Sequence, residues 1–368
     1  MISKLTIQNF KSLKDISIST KPLNLLMGLN GMGKSSVIQS LLLLRQSNSL
    51  DQGTLHFNGN FVEIGKGKDA YYQYGIEQYI GIHLVLQDSK ELGWKFSYEA
   101  DRDYAHAKEK YTDEQLQSCS LFTSNFQYLH AERKGPQTVY DTSSSVVGRS
   151  RQIGMYGEFA VHFLNVFGNE KVALTLHHPK AKSEILLHQV DAWLGEVAPG
   201  VKLNTTEIPG TGKMILDYQF EAGTLHTNRF MPRNVGFGLS YVLPILVTLL
   251  SSSPDKLILI ENPEAHIHPR GQAELGKLIA LVAENGAQLF VETHSDHIVN
   301  GIRVAVKEKF IEKSRVGILY FRRVTAEHEK YYEQYSTFDA IDVDEQGELS
   351  DYPQDFMDEW NNQLIKLL

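Results

Sequence analysis

GLNGMGKSS, residues 28–36, is a complete G-x-x-x-x-G-K-[ST] phosphate-binding loop. It stands between NLLM (24–27), a short apolar run that reads as a buried strand, and SSVIQSLLLLRQ (35–46), which reads as the helix that the strand feeds. The chemistry depends on that placement. Gly28, Gly31 and Gly33 let the backbone curl until its N–H groups point inward at a phosphate, while the helix N-terminus adds partial positive charge. Lys34 is then the candidate for the β/γ oxygens and the Ser35 hydroxyl the candidate Mg2+ ligand. Asn30, Met32 and Ser36 complete the candidate cradle.

Such a loop needs a carboxylate on the side of the metal opposite its lysine. KLILIENPE (256–264) supplies one: four apolar residues end in Glu261, whose carboxylate should emerge at the C-terminal edge of a sheet, where open α/β folds bind their ligands. The following strand, QLFVETHSDH (288–297), brings His294 to the corresponding edge. A neutral imidazole there could hydrogen-bond a γ-phosphate and report its presence.

The composition is that of an ordinary soluble protein, and 368 residues suffice for one large core or two or three smaller ones. No apolar stretch approaches membrane-spanning length: LLLL (41–44) is short, and VLPILVTLL (242–250) is interrupted by Pro244. MISKLTIQNF alternates like a strand rather than carrying the apolar core of a secretory signal. The single cysteine, Cys119, excludes an internal disulfide framework, so a cytoplasmic setting is expected. The net charge of −8 is unevenly spread. Between Tyr331 and Ile365 lie ten acidic residues and no Lys or Arg, which leaves about +2 elsewhere by subtraction. That is not the basic face of a nucleic-acid binder. Tyr352, Phe356 and Trp360 suggest that part of this acidic tail folds back or docks on a partner.

The alternation of Leu5 and Ile7, then Ile16 and Ile18, predicts an opening hairpin. From Gly53 to about Ala100, glycine-punctuated Tyr, Phe, Ile and Val runs predict an antiparallel β lobe. DTSSSVVGRSR (141–151) reads as a mobile serine-rich loop. Helices are expected over 158–167 and 184–197, and strands over 202–206 and 214–220. After Pro254 strand, helix, strand and helix alternate, which argues for a parallel sheet. The resulting α/β organisation is a discontinuous P-loop NTPase core (1–50 and 228–330), an inserted β lobe and helical region (51–227) and a small acidic C-terminal domain (331–368).

LILIENPEAHIHP (257–269) with VETHSDHIVNGIR (291–303) resembles the ATPase domain of the OLD and RecF-like branch of ABC-type ATPases, relatives of SMC heads. IQNFKSLKDI (7–16) is similar to that group's first strand. YLHAERKGP (128–136) and DEQGELSDYPQDFMDEW (344–360) resemble stand-alone bacterial ATPases that end in a small domain of unknown function. The resemblance implies an ABC-type ATPase head that binds ATP and Mg2+, with Lys34 and Ser35 in the phosphate loop, Glu261 as Walker B acid and His294 as switch histidine. It also implies that NVGFGLS (234–240) is the signature segment. There Gly236 and Gly238 precede a helix expected to begin near Ser240, making Gly238 and Ser240 candidates for the γ-phosphate of a second subunit in a head-to-tail homodimer. Anti-phage defence or DNA repair, with a separately encoded effector protein and possible contact to DNA or RNA, is the setting the resemblance suggests.

Two departures stand out. Asn262 occupies the place of the glutamate that usually activates water, and its amide cannot take a proton near neutral pH. Glu264 and Glu292 are the candidate substitutes. Nor does the chain carry the clustered acids of a Toprim nuclease. Two other readings follow. One is a metal-dependent hydrolase built on His266, His268 and His294, and the other a scaffold that binds nucleotide without hydrolysing it. Lys11 and Ser12 are further candidates for the nucleotide. Glu132 and Arg133 could belong to a Mg2+-sensing loop or form a buried ion pair, and Arg133, Lys134, Arg149 and Arg151 could form a basic rim.

Overall fold

The computed structural model describes residues 1–48, 53–223, 225–329 and 331–367, so the expected boundaries at 50/51 and 330/331 touch residues outside that description. The chain forms two compact units. One comprises Met1–Phe126, Val316–Asp344 and Leu349–Leu368, the other Gln127–Arg315 and Glu345–Glu348. In chain order the first unit supplies β1 (Ile2–Phe10), β2 (Leu13–Ser19), β3 (Leu23–Met27), α1 (Lys34–Asn48), β4 (Thr54–His56), α2 (Gly67–Ala70), β5 (Tyr79–Leu86), β6 (Glu91–Ser97), β7 (Tyr104–His106) and α3 (Asp113–Gln117). Next come β8 (Phe126–Leu129), β9 (Tyr140–Asp141), α4 (Ala160–Phe167), α5 (Leu186–Val197), β10 (Val201–Ile208), β11 (Lys213–Ala222), β12 (Leu225–His226), α6 (Phe237–Leu250), β13 (Leu257–Glu261), α7 (Pro269–Glu284), β14 (Gln288–Glu292) and α8 (Asp296–Lys307). The first unit closes with β15 (Val316–Glu327), β16 (Tyr332–Ile341) and α9 (Glu359–Leu367).

In the first unit the strands run in the order β6-β5-β1-β2-β16-β15-β3. The opening hairpin is as the alternation predicts, with Leu5 opposite Ile18 and Ile7 opposite Ile16, all four buried. β5 and β6 extend it antiparallel, so the expected β lobe is partly a continuation of this sheet, while β4 and β7 pair separately. β3 is buried throughout and apolar apart from Asn24, which turns back to bond the Lys21 backbone.

The acidic segment expected as a separate C-terminal domain begins instead inside this sheet. β16 pairs with β15 along its whole length and meets β2 where Ser336 faces Leu13, and β15 runs parallel to β3. Two of its acids find cations on neighbouring strands. Glu333 bonds Lys14 at 2.7 Å and His328 at 3.0 Å, and Asp339 takes the Arg322 guanidinium through both oxygens. Further on, Phe356 is buried edge-to-face against Tyr320, so the tail does fold back there, whereas Tyr352 and Trp360 are exposed.

In the second unit the order is β14-β13-β8, and β13 and β14 are parallel, with Glu261 in register with Glu292. A four-stranded sheet of β9 to β12 packs with α4 and α5. Two local expectations change. Pro244 does not interrupt the apolar run, because α6 continues through it with the proline buried among apolar neighbours. The serine-rich stretch is not an open loop: residues 144–149 close into a wide π-helical turn that Ser143 caps by accepting from the Val146 amide and that buries Val147.

Candidate functional site

In the first unit the phosphate loop joins β3 to α1. Gly28 and Gly33 lie at φ +125° and +101°, backbone that side chains avoid, and space closes both positions further. A Cβ on Gly28 would sit 2.3 Å from the Phe321 carbonyl oxygen, and one on Gly33 would sit 2.9 Å from the Ser336 side chain. Lys34, only 3% exposed, donates to the Gly28 and Leu29 carbonyl oxygens at 2.8 Å each, so its ammonium is held inside the curl of its own loop. Ser35 is exposed at the start of α1, Ser36 is buried with its amide bonded to the Gly33 carbonyl, and Asn30 and Gly31 are exposed at the loop crest with Met32 partly covered.

Three residues that local sequence did not single out brace this loop. Arg323 of β15 donates to the Gly31 carbonyl at 2.9 Å, Ser336 of β16 donates its hydroxyl to Ser12 at 2.8 Å, and Phe321 presents the carbonyl that excludes a side chain at Gly28. They come from strands some 290 residues downstream in sequence, and no periodicity near the loop announces them. Lys11 turns back at φ +52°, its amide on the Ala70 carbonyl and its ammonium on Gln39 at 2.9 Å, and burial holds its pKa below the ordinary lysine value.

In the second unit Glu261 ends β13. Its Oε1 accepts from the Tyr128 hydroxyl at 3.0 Å and its Oε2 from the Ala131 amide at 3.4 Å. Burial pushes the carboxyl above its ordinary pKa, while the Tyr128 hydroxyl, the Ala131 amide and the nearby Arg133 guanidinium pull the other way. Arg133 itself is 2% exposed. It donates to the carbonyls of His130, Tyr241, Glu261 and Asn262, and burial lowers it to about 10. It is therefore neither an ion-pair partner of the exposed Glu132 nor part of a basic rim. Arg151 is likewise engaged, by Glu170 at 2.6 Å, which leaves Lys134 and Arg149 exposed.

Glu264 anchors rather than hangs free: its oxygens accept from the Thr293 hydroxyl and the His294 amide, each at 2.8 Å. That fixes the loop on which the exposed His294 sits. Glu292 is buried beside Glu261 in register. Asn262 adopts φ +44°, and its amide N–H donates to the Glu292 carbonyl. The histidines of the hydrolase reading do other work. The His266 ring packs on Tyr241 at 4.4 Å, and His268 caps α7 by accepting from the Arg270 amide. Among the described residues no three His, Cys, Asp or Glu side chains are grouped to hold a metal.

The signature segment differs from expectation in one respect. α6 begins at Phe237, earlier than the position near Ser240, so Ser240 lies within the first turn with its hydroxyl buried beside Tyr140 and Tyr218. The exposed end of the helix is Gly236 and Phe237. Gly238 is required by close approach, since a Cβ there would meet the His266 carbonyl at 2.5 Å.

Comparison with known proteins bears on the fold. Residues 1–159 match a family model described as an AAA ATPase domain, and residues 174–300 match one described as "AAA domain, putative AbiEii toxin, Type IV TA system". Residues 311–367 match "Protein of unknown function (DUF3696)". Among solved structures, the SmcHead bound to the C-winged helix domain of ScpA is 14% identical and covers 92% of this chain and 98% of its own, with a TM-score of 0.51. The chain has the fold of an SMC/ABC-type ATPase head. The Smc head domain with an extended coiled coil, bound to the C-terminal domain of ScpA from Pyrococcus furiosus, is similar at 12% identity, 92% and 96% coverage and a TM-score of 0.50. No curated protein matches. This ATPase-head fold is one on which P-loop proteins bind nucleotide, and among the described residues no helix is long and apolar enough to cross a membrane.

Proposed function

We propose that this ATPase head is an ATP-binding, ATP-hydrolysing switch of the OLD and RecF-like branch. Two copies close head-to-tail on nucleotide. Lys34 takes the β/γ oxygens, Ser35 and Glu261 hold Mg2+, and His294 reads the γ-phosphate. The Gly236–Gly238 end of α6 is offered to the nucleotide of the other copy. The observation that carries this reading is the phosphate loop: two left-handed glycines with no room for a side chain curl it around a buried lysine ammonium. The donor set suits a hard divalent cation, since Glu261 is a largely buried carboxylate at the end of its strand and Ser35 is a hydroxyl residue at the start of α1. Bound Mg2+ would neutralise charge building on the β- and γ-oxygens. Anti-phage defence or DNA repair, with a separate effector protein, fits the branch, and the SmcHead relatives bound to ScpA are an example of this fold engaging a protein partner.

Calorimetric titration with Mg-ATP, alongside phosphate release, tests the reading. Wild type should take up ATP and turn it over, and Lys34→Ala should lose both by at least about a hundredfold. A wild-type protein that takes up no ATP, or a Lys34→Ala protein that binds it equally well, ends the proposal. The non-hydrolysing scaffold keeps one observation in its favour. Asn262 cannot act as a base, its buried Oδ1 meets no hydrogen-bond donor among the described residues, and Glu264 is committed to its loop. Binding without turnover in wild type, with turnover appearing in Asn262→Glu, would select that reading.

A further inference from the structure

We infer that the nucleoside half of the bound nucleotide lies in a cavity beside the phosphate loop whose outer wall is the β15–β16 hairpin, with Arg323 bridging that cavity to the loop. This rests on the nucleotide reading above. The cavity, about 320 Å3, is lined by Lys11, Tyr71, Gln73, Arg323, Gln334 and Tyr335 among others, near the lower end of the size range for small-molecule sites.

Its link to the loop is direct. Arg323 lines the cavity and also donates to the Gly31 carbonyl at the loop crest. On β16, Ser336 follows Tyr335 and touches both Ser12 and the Gly33 position. A phosphate chain leaving the loop on this side therefore enters the cavity.

The lining has the chemistry of a nucleoside. The part-exposed Tyr335 ring gives a stacking surface that any base can use, whereas Tyr71 is already stacked on Tyr98. The carboxamides of Gln73 and Gln334, each donor and acceptor at once, suit the edge of a purine. Lys11 and Arg323 put cations where the ribose meets the phosphates. The wall is also held in advance of any ligand. The Lys14 ammonium sits 5.4 Å from the centroid of the Tyr335 ring, and the buried Tyr72 hydroxyl bonds Glu333 at 3.0 Å and the Gln334 carbonyl at 3.1 Å. Glu333 in turn bonds Lys14 and His328. The hairpin, which falls within the segment matching the family of unknown function, thus supplies specificity to the site.

Irradiation of the full chain with 8-azido-ATP and Mg2+, followed by peptide mapping, tests the inference. Label that ATP displaces should fall within residues 68–73 or 332–335, and Tyr335→Ala should weaken ATP about tenfold or more while Tyr335→Phe stays within about twofold. Displaceable label elsewhere, or a Tyr335→Ala protein with wild-type affinity, overturns the inference and leaves the nucleotide reading standing. If wild type neither labels nor takes up ATP in the calorimeter, both fall together.

Discussion

Arg133→Met is the sharpest test of the second unit, because one buried guanidinium there serves four backbone carbonyls. Its Nη1 donates to Glu261 at 2.8 Å and His130 at 3.2 Å, its Nη2 to Asn262 at 2.6 Å and its Nε to Tyr241 at 3.2 Å. Methionine keeps the apolar stem and leaves all four oxygens without this donor. Hydrogen bonds from a charged donor are worth roughly 1.5–3 kcal/mol each, an upper bound when four share one group. Against that stands the cost of burying the guanidinium, which lowers its pKa from 12.5 to about 10, or about 3 kcal/mol. Some of the exposed carbonyls will also find water. A net loss of about 3–5 kcal/mol remains, which for a unit of this size lowers the melting temperature by about 10 °C or somewhat more. Scanning calorimetry of wild type, Arg133→Met and Arg133→Lys at pH 7 reads it. Lysine should fall between the other two, since one ammonium cannot reach every carbonyl a planar fork reaches. An Arg133→Met protein melting within about 2 °C of wild type would show that the fork does not bind this unit together.

Lys256 is buried with its pKa lowered to about 8 by desolvation, against 10.5 in an unfolded chain. Between those two values the unfolded state holds more protons, so this group's burial penalty is complete below pH 8 and fades as pH rises to 10.5. Lys256→Met should therefore be more stable than wild type by about 3 kcal/mol at pH 7, with the advantage shrinking toward pH 10; melting curves showing a pH-independent difference would refute it. Gly33→Ala should lose ATP binding and roughly 1–3 kcal/mol of stability, because its Cβ must enter the Ser336 side chain at φ +101°. Wild-type melting and wild-type calorimetric affinity in that variant would contradict the loop geometry.

What could be read from the residues was what is written locally. The loop with its strand and helix, the alternating hairpin, and the apolar runs ending in Glu261 and Glu292 all carry their period within ten residues, and those elements stand where the pattern put them. The placement of β15 and β16 was not legible. Charge dominates the look of residues 331–365, and nothing local says that Glu333 and Asp339 will face Lys14 and Arg322. Arg323 and Ser336 were missed for the same reason. The anchoring role of Glu264 depends on a partner 30 residues away, and the need for glycine at 238 on the His266 carbonyl that lies against it. Sequence spacing reports which atoms a segment offers, whereas tertiary partners decide which of them are used.

The insertion of β16 between β2 and β15 has a bearing on biogenesis. While a ribosome is making the second unit, β2 and β3 are already finished but lack the strands that will join them, so each presents unpaired amides and carbonyls until residues 316–341 emerge. The phosphate loop therefore cannot acquire its braces until nearly three hundred further residues have been synthesised. A nascent chain arrested before Val316 would expose two raw sheet edges, making it a natural client for chaperones and a poor binder of nucleotide.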